Sequence, residues 1–149
     1  AVDDAHHFLE DGPTRANPGR GWVMVRAMEL SAEAIIEAME AAEFYATTGV
    51  VLDDIRSSND SLSLAIRWDP EISYRTQFIA TRRVAENTSI ASEDIGIVLA
   101  EQEGLNPSYA FVGDELYVRA KVISSKVKEN SHREGEHEVA WIQPVVLPR

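Results

Sequence analysis

The stretch from Arg20 to Leu52, RGWVMVRAMELSAEAIIEAMEAAEFYATTGVVL, constrains the fold more than any other part of the chain. Gly21–Val25 is a short apolar, β-branched run that predicts a strand. Ser31 then offers an N-cap, and Glu33 lies in the first turn, where the helix dipole favours negative charge. Ile35, Ile36, Met39 and Ala42 recur at i, i+1, i+4 and i+7, an apolar stripe on a helix of about three turns, with Glu37, Glu40 and Glu43 largely away from it. Phe44–Leu52 returns as an aromatic and β-branched strand interrupted by Gly49. Strand, helix and strand in this order predict a parallel-type crossover lying on a larger sheet. Only nineteen residues precede Arg20, too few to supply that sheet.

From Ser61 onward the periodicity changes to two. Leu62, Leu64, Ile66 and Trp68 alternate with polar or small residues, which predicts a strand with one buried face. Tyr74, Thr76, Phe78 and Ala80 repeat the pattern, and Ile95–Leu99 is a further short strand followed by a loop from Glu101 to Pro107. Tyr109–Val112 and Leu116–Ile123 read as strands joined across Gly113–Asp114, with Leu116, Val118, Ala120 and Val122 on one face. Ser124–His137 reads as a charged loop. Val139–Leu147 closes the chain as a strand that Pro144 confines to an edge or a bulge. Asp53–Asp60, rich in acids, serine and asparagine, reads as the turn between two regions. The expected class is α+β: a βαβ unit over residues 1–52, then a mainly antiparallel β-sheet or sandwich over 53–149.

Composition narrows the function. The 149 residues fit one ordinary domain, and 44% hydrophobic content suffices for a core. No apolar run reaches the length of a membrane span, and no secretion leader is visible. The first residue is Ala1 rather than methionine, which suggests a processed or cut end. With no cysteine, disulfides, thiolate catalysis and thiolate zinc sites are excluded. The compartment stays open, with the cytoplasm favoured. A net charge of −11 argues against non-specific nucleic-acid binding. Lys121, Lys126, Lys128 and Arg133 are interleaved with glutamates and read as a solvated loop.

The chemistry sits at the front. Asp3-Asp4-Ala5-His6-His7 packs two carboxylates and two imidazoles into five residues. On an extended backbone Asp4 and His6 point the same way, and together they form half of a metal site suited to zinc, manganese or iron. The same residues also read as a polar terminus that touches only water, and composition alone leans that way. His132 and His137 fall in the charged loop and read as solvated. Gly19-Arg20-Gly21 could bring a backbone and an arginine fork to a phosphate, but on these residues alone it reads more readily as a plain turn before a strand with Arg20 exposed. No catalytic triad, phosphate-binding glycine loop or HExxH helix is present.

Asp4-Ala5-His6, then Gly19-Arg20-Gly21-Trp22-Val23, then Phe44-Tyr45-Ala46-Thr47-Thr48-Gly49-Val50, resemble the C-terminal end of the PHP (polymerase and histidinol phosphatase) superfamily of metal-dependent phosphoesterases. Tyr117–Lys121 and Ala140–Val145 are similar to the β-rich tail that follows the barrel in some members. The resemblance implies a distorted (β/α)7 barrel with a multinuclear divalent metal cluster (manganese, zinc or iron) that acts on a phosphoester substrate. Asp4 and His6 match its late Asp-x-His ligand pair, and Arg20 falls where a phosphate contact is expected. The family's opening His-x-His motif, middle glutamate and other histidines are absent from this sequence. The expectation is therefore the last part of such an enzyme, inactive alone. The alternative is a non-catalytic β-sandwich module for interaction or self-association. Apolar residues of the βα segment, Trp22, Val23, Val25, Ile35, Ile36 and Met39, discriminate the two: left uncovered, they offer a surface for a homo-oligomer.

Overall fold

A computed structural model describes residues 4–10, 12, 14–85 and 88–147; Asp3 of the N-terminal cluster lies outside them. It is a β-sandwich-like fold of mostly antiparallel strands with one helix. In chain order the elements are β1 (Trp22–Val25), α1 (Ala32–Glu40), β2 (Phe44–Thr47), β3 (Leu52–Ser57), β4 (Ser61–Ile66), β5 (Tyr74–Arg82), β6 (Ile97–Glu103), β7 (Ser108–Ala110), β8 (Glu115–Val127), β9 (His137–Ile142) and β10 (Val145–Val146). The larger sheet runs β1-β2-β9-β8-β5-β6, with β10 also paired to β8, and the smaller sheet is β3-β4-β7.

Alternation places the core. Tyr74, Thr76, Phe78 and Ala80 of β5 and Val118, Ala120 and Val122 of β8 all turn inward, and Leu62, Leu64 and Ile66 of β4 meet them from the smaller sheet. Phe78 and Leu62 are fully buried. The Phe78 ring stacks on Tyr109 of β7 at a centroid distance of 5.5 Å, which ties the two sheets together. Pro144 sits in the break between β9 and β10, where no ladder hydrogen bond is asked of it. The single strand expected from Val139 to Leu147 is thus divided at the proline, and its first part, β9, lies inside the larger sheet between β2 and β8 and not at an edge.

Several elements depart from the expected arrangement. β1 and β2 pair antiparallel, Trp22 opposite Thr47 and Val25 opposite Phe44, so α1 is the connection of a long hairpin and not a parallel crossover. Both helix ends explain this. Ser31 caps the N-terminus by accepting from the Ala34 N–H at 3.2 Å. At the other end Ala42 takes the left-handed conformation, φ 60°. The Ala42 N–H then donates to Met39 and the Glu43 N–H to Ala38, a Schellman motif that turns the chain straight back. The inward face of α1 is Ala34, Ile35 and the buried Ala38, while Ile36 and Met39 of the expected stripe face solvent.

The segment expected as one strand from Phe44 to Leu52 divides at Gly49 into β2 of the larger sheet and β3 of the smaller. Residues 53–57, expected as turn, belong to β3. β2 pairs with β9, so residues on both sides of the expected boundary after Leu52 share one sheet and one core. β7 and β8 do not form a hairpin across Gly113–Asp114: β7 pairs with β4 and β8 with β5. β6 runs on to Glu103 and β8 to Val127, both further than expected. β4 ends at Ile66, which leaves Trp68 outside the sandwich and 68% exposed.

Candidate functional site

The N-terminal segment reaches the sandwich as a laced loop. The His6 and His7 N–H groups both donate to the Ala16 carbonyl, at 2.9 and 3.0 Å, and the Ala16 N–H donates to His7 Nδ1 at 3.1 Å. The buried Asn17 amide donates to the carbonyls of His7 and Glu10, while its oxygen accepts from the Gly12 N–H. Each of these bonds satisfies a backbone group that the loop would otherwise leave unpaired.

Asp4 is in left-handed backbone, φ 50°, a conformation that aspartate tolerates better than most residues. This differs from the extended geometry expected, yet it brings the same two side chains together: Asp4 Oδ1 lies 3.2 Å from His6 Nε2, with both side chains largely exposed. Two ligands at about 2.0–2.1 Å from one tetrahedral ion are separated by about 3.3 Å. The donor types and their spacing therefore fit two positions on one divalent ion. Among the described residues there is no group of three or more His, Cys, Asp or Glu side chains placed to hold a metal. The same separation is also that of an ordinary exposed carboxylate–imidazole ion pair.

Arg20 is not at a surface. It is 7% exposed, and its guanidinium faces into the loop. Nε donates to Asn130 Oδ1 at 3.1 Å, Nη1 donates to the Arg15 carbonyl and to His132 Nδ1, and Nη2 donates to the Gly12 carbonyl and Asn17 Oδ1. Asn130 in turn donates to the Pro18 carbonyl at 3.0 Å. Arg20 therefore staples the N-terminal loop to the β8–β9 connection, and a phosphate would reach it only by displacing these acceptors. His132 joins that staple while remaining exposed, and His137, also exposed, opens β9 and is not in the charged loop.

No protein-family model, curated protein or solved structure matches this chain. Functional argument therefore rests on its residues. Among those described, no helix is long and apolar enough to cross a membrane.

Beside the loop, β1 and the turn leading into α1 leave a large apolar area in solvent. Met28 and Leu30 are almost wholly exposed, and Trp22, Met24, Ile36 and Met39 each keep roughly 40–55% of their surface accessible. β1 is also an edge strand, with one side of its backbone unpaired by the sheet. A cleft of about 380 Å³ opens between the end of β1, the α1–β2 turn, β3 and the β9–β10 break. Arg26 crosses its mouth to Asp54 at 2.8 Å, and Arg56 meets the other oxygen of the same carboxylate. These guanidinium partners, Arg56 first, hold Asp54 below the ordinary carboxylate range despite some desolvation.

Two buried carboxylates carried no sequence signal. Glu115 is fully buried and accepts from the Tyr109 hydroxyl at 2.8 Å and from the Val112 and Gly113 N–H groups. Burial pushes its acidity constant up, but these hydrogen bonds together outweigh burial and leave it lowered. Tyr109 is pushed up to about 12, by burial first and by Glu115 second. Glu138 lies against Gly49 and pairs with Lys126 at 3.0 Å. Both glutamates hold turns together. Glu138 is set by Gly49, far away in sequence, while Glu115 is held by residues two to six positions before it in a segment whose polar composition does not mark it as buried.

Proposed function

We propose that this chain is the C-terminal part of a PHP-type metal-dependent phosphoesterase, in which Asp4 and His6 donate two ligands to a divalent cluster completed by residues outside the chain. The observation that carries this reading is the Asp4–His6 pair, held 3.2 Å apart at the spacing of two ligands on one ion. The metal, when bound, supplies a hydroxide nucleophile and charge stabilisation for the phosphoester. This chain's part is to hold one carboxylate oxygen and one imidazole nitrogen toward it. Arg20 serves the same end by fixing the loop, and meets a phosphate only if the loop opens.

The uncovered residues of β1 and of the turn leading into α1 are compatible with the reading. Trp22, Met24, Met28 and Leu30 form the kind of surface that another folded unit covers. A second reading keeps the sandwich as a non-catalytic module that self-associates through this surface. Its support is the core around Phe78 and Leu62, which the two sheets of this chain bury between them.

Calorimetric titration with manganese and zinc, beside the double variant Asp4→Ala, His6→Ala, separates the two. The phosphoesterase reading expects weak binding by the pair alone, lost in the variant, with no phosphoester hydrolysis by this chain. Identical binding by both proteins would overturn the ligand assignment. The self-association reading expects dimers in light scattering that Leu30→Glu with Trp22→Glu converts to monomers, whatever the metal result.

A further inference from the structure

We propose that the cleft beneath Trp68 is a binding site for a neutral saccharide. The residue parity of β4, Leu62, Leu64, Ile66, should carry Trp68 into the core. The strand ends first, and the indole stands 68% exposed at the rim of a cleft of about 630 Å³. The cleft is formed by the β4–β5 turn, the β6–β7 turn and one segment of β8 with the start of β9. Its volume is within the range of small-ligand sites. A tryptophan held this far into water leaves most of its large apolar and aromatic surface unburied by the fold, and beside a concavity that surface is placed to stack on a ligand.

The polar groups of the cleft select the class of ligand. Asp69, Arg75, Glu103 and His137 line it with Trp68. Arg75 is engaged by Glu101 at 3.4 Å, and one Asp69 oxygen accepts the Glu71 N–H at 3.0 Å. Among the described residues the Glu103 carboxylate and the His137 ring have no hydrogen-bond or ion-pair partner. Two carboxylates against one guanidinium disfavour a polyanion, and a charged rim disfavours a purely apolar ligand. A pyranose ring matches both features. Its C–H face lies on the indole, and its hydroxyls donate to the carboxylates and accept from His137 or Arg75 without the burial of a net charge.

The test is calorimetric titration of the full chain with soluble hexasaccharides of glucose, mannose, xylose and N-acetylglucosamine, with spermidine as a cationic comparison. The expected result is saturable binding of at least one hexasaccharide, weakened about tenfold or more by Trp68→Ala and several-fold by Glu103→Gln. Because Trp68 is outside the core, the thermal midpoint should not move, and Asp4→Ala with His6→Ala should leave saccharide binding intact. The proposal is overturned if no hexasaccharide binds, if Trp68→Ala binds as well as the parent, or if spermidine alone binds through Trp68.

Discussion

Gly49 is the point where the chain leaves the larger sheet for the smaller, and replacing it with alanine should be unusually costly. Its φ is 151°, and a Cβ built there would overlap the Glu138 carboxylate, whose side chain is packed over the glycine. Thr47 fixes the turn from the other side: its hydroxyl donates to the Val50 carbonyl at 2.7 Å and accepts the Gly49 N–H at 3.0 Å. The backbone therefore has no cheap way to move. Placing a Cβ in this region of φ costs about 1 kcal/mol. The Glu138 carboxylate is the far end of a flexible side chain and can swing aside, but doing so takes it out of its buried place over the glycine, which adds about 2 kcal/mol. Gly49→Ala should lose about 3 kcal/mol in urea unfolding followed by tryptophan fluorescence, or about 6–12 °C in the thermal midpoint for a chain of this size. Glu138→Ala removes the obstacle, so the double variant should be less destabilised than the sum of the single ones by about 2 kcal/mol. Strictly additive losses, or a Gly49→Ala loss under about 0.5 kcal/mol, would refute the argument that Glu138 is what the glycine accommodates.

Ala42 offers the opposite case: it holds the left-handed position of the Schellman motif with its side chain in solvent, so Ala42→Gly should raise stability by about 0.5–1 kcal/mol in the same unfolding assay. Glu115→Gln should cost about 1–3 kcal/mol, since a buried acceptor of three hydrogen bonds loses its charge. Because the Glu115 constant is lowered in the fold, its contribution is fully present above the ordinary value of 4.5 and is lost as pH falls below it toward the folded value. Acid unfolding curves of the parent should therefore fall more steeply there than those of Glu115→Gln. Tyr109 has the reverse sign: raised from 10 to about 12, its neutral form is favoured by folding, and that stability disappears as pH climbs through this interval. Tyr109→Phe should flatten the alkaline limb of the stability profile between those values. Ile36→Glu should change stability by no more than about 0.5 kcal/mol because the side chain is already half in water, whereas Leu62→Ala, fully buried, should cost about 2–5 kcal/mol.

Local patterns in the sequence were enough for the helix start at Ser31 and the inward faces of β4, β5 and β8, because each depends on one residue's own chemistry or on a period of two. The Asp4–His6 contact was expected from an extended backbone and is reached by another route, with Asp4 in left-handed backbone, because two residues separated by one are close in either conformation. The place of Arg20 was not legible, because its acceptors include Asn130 and His132, more than a hundred positions away. Nor could periodicity say that β1 and β2 run antiparallel, that Gly49 divides one apolar run between two sheets, or that Trp68 falls beyond the end of its strand. Alternation reports which side of a strand is apolar but not which sheet it joins or where its neighbours stop. Those choices are made by packing, when Glu138 settles over Gly49 and Phe78 stacks on Tyr109. They require both sheets to be present at once.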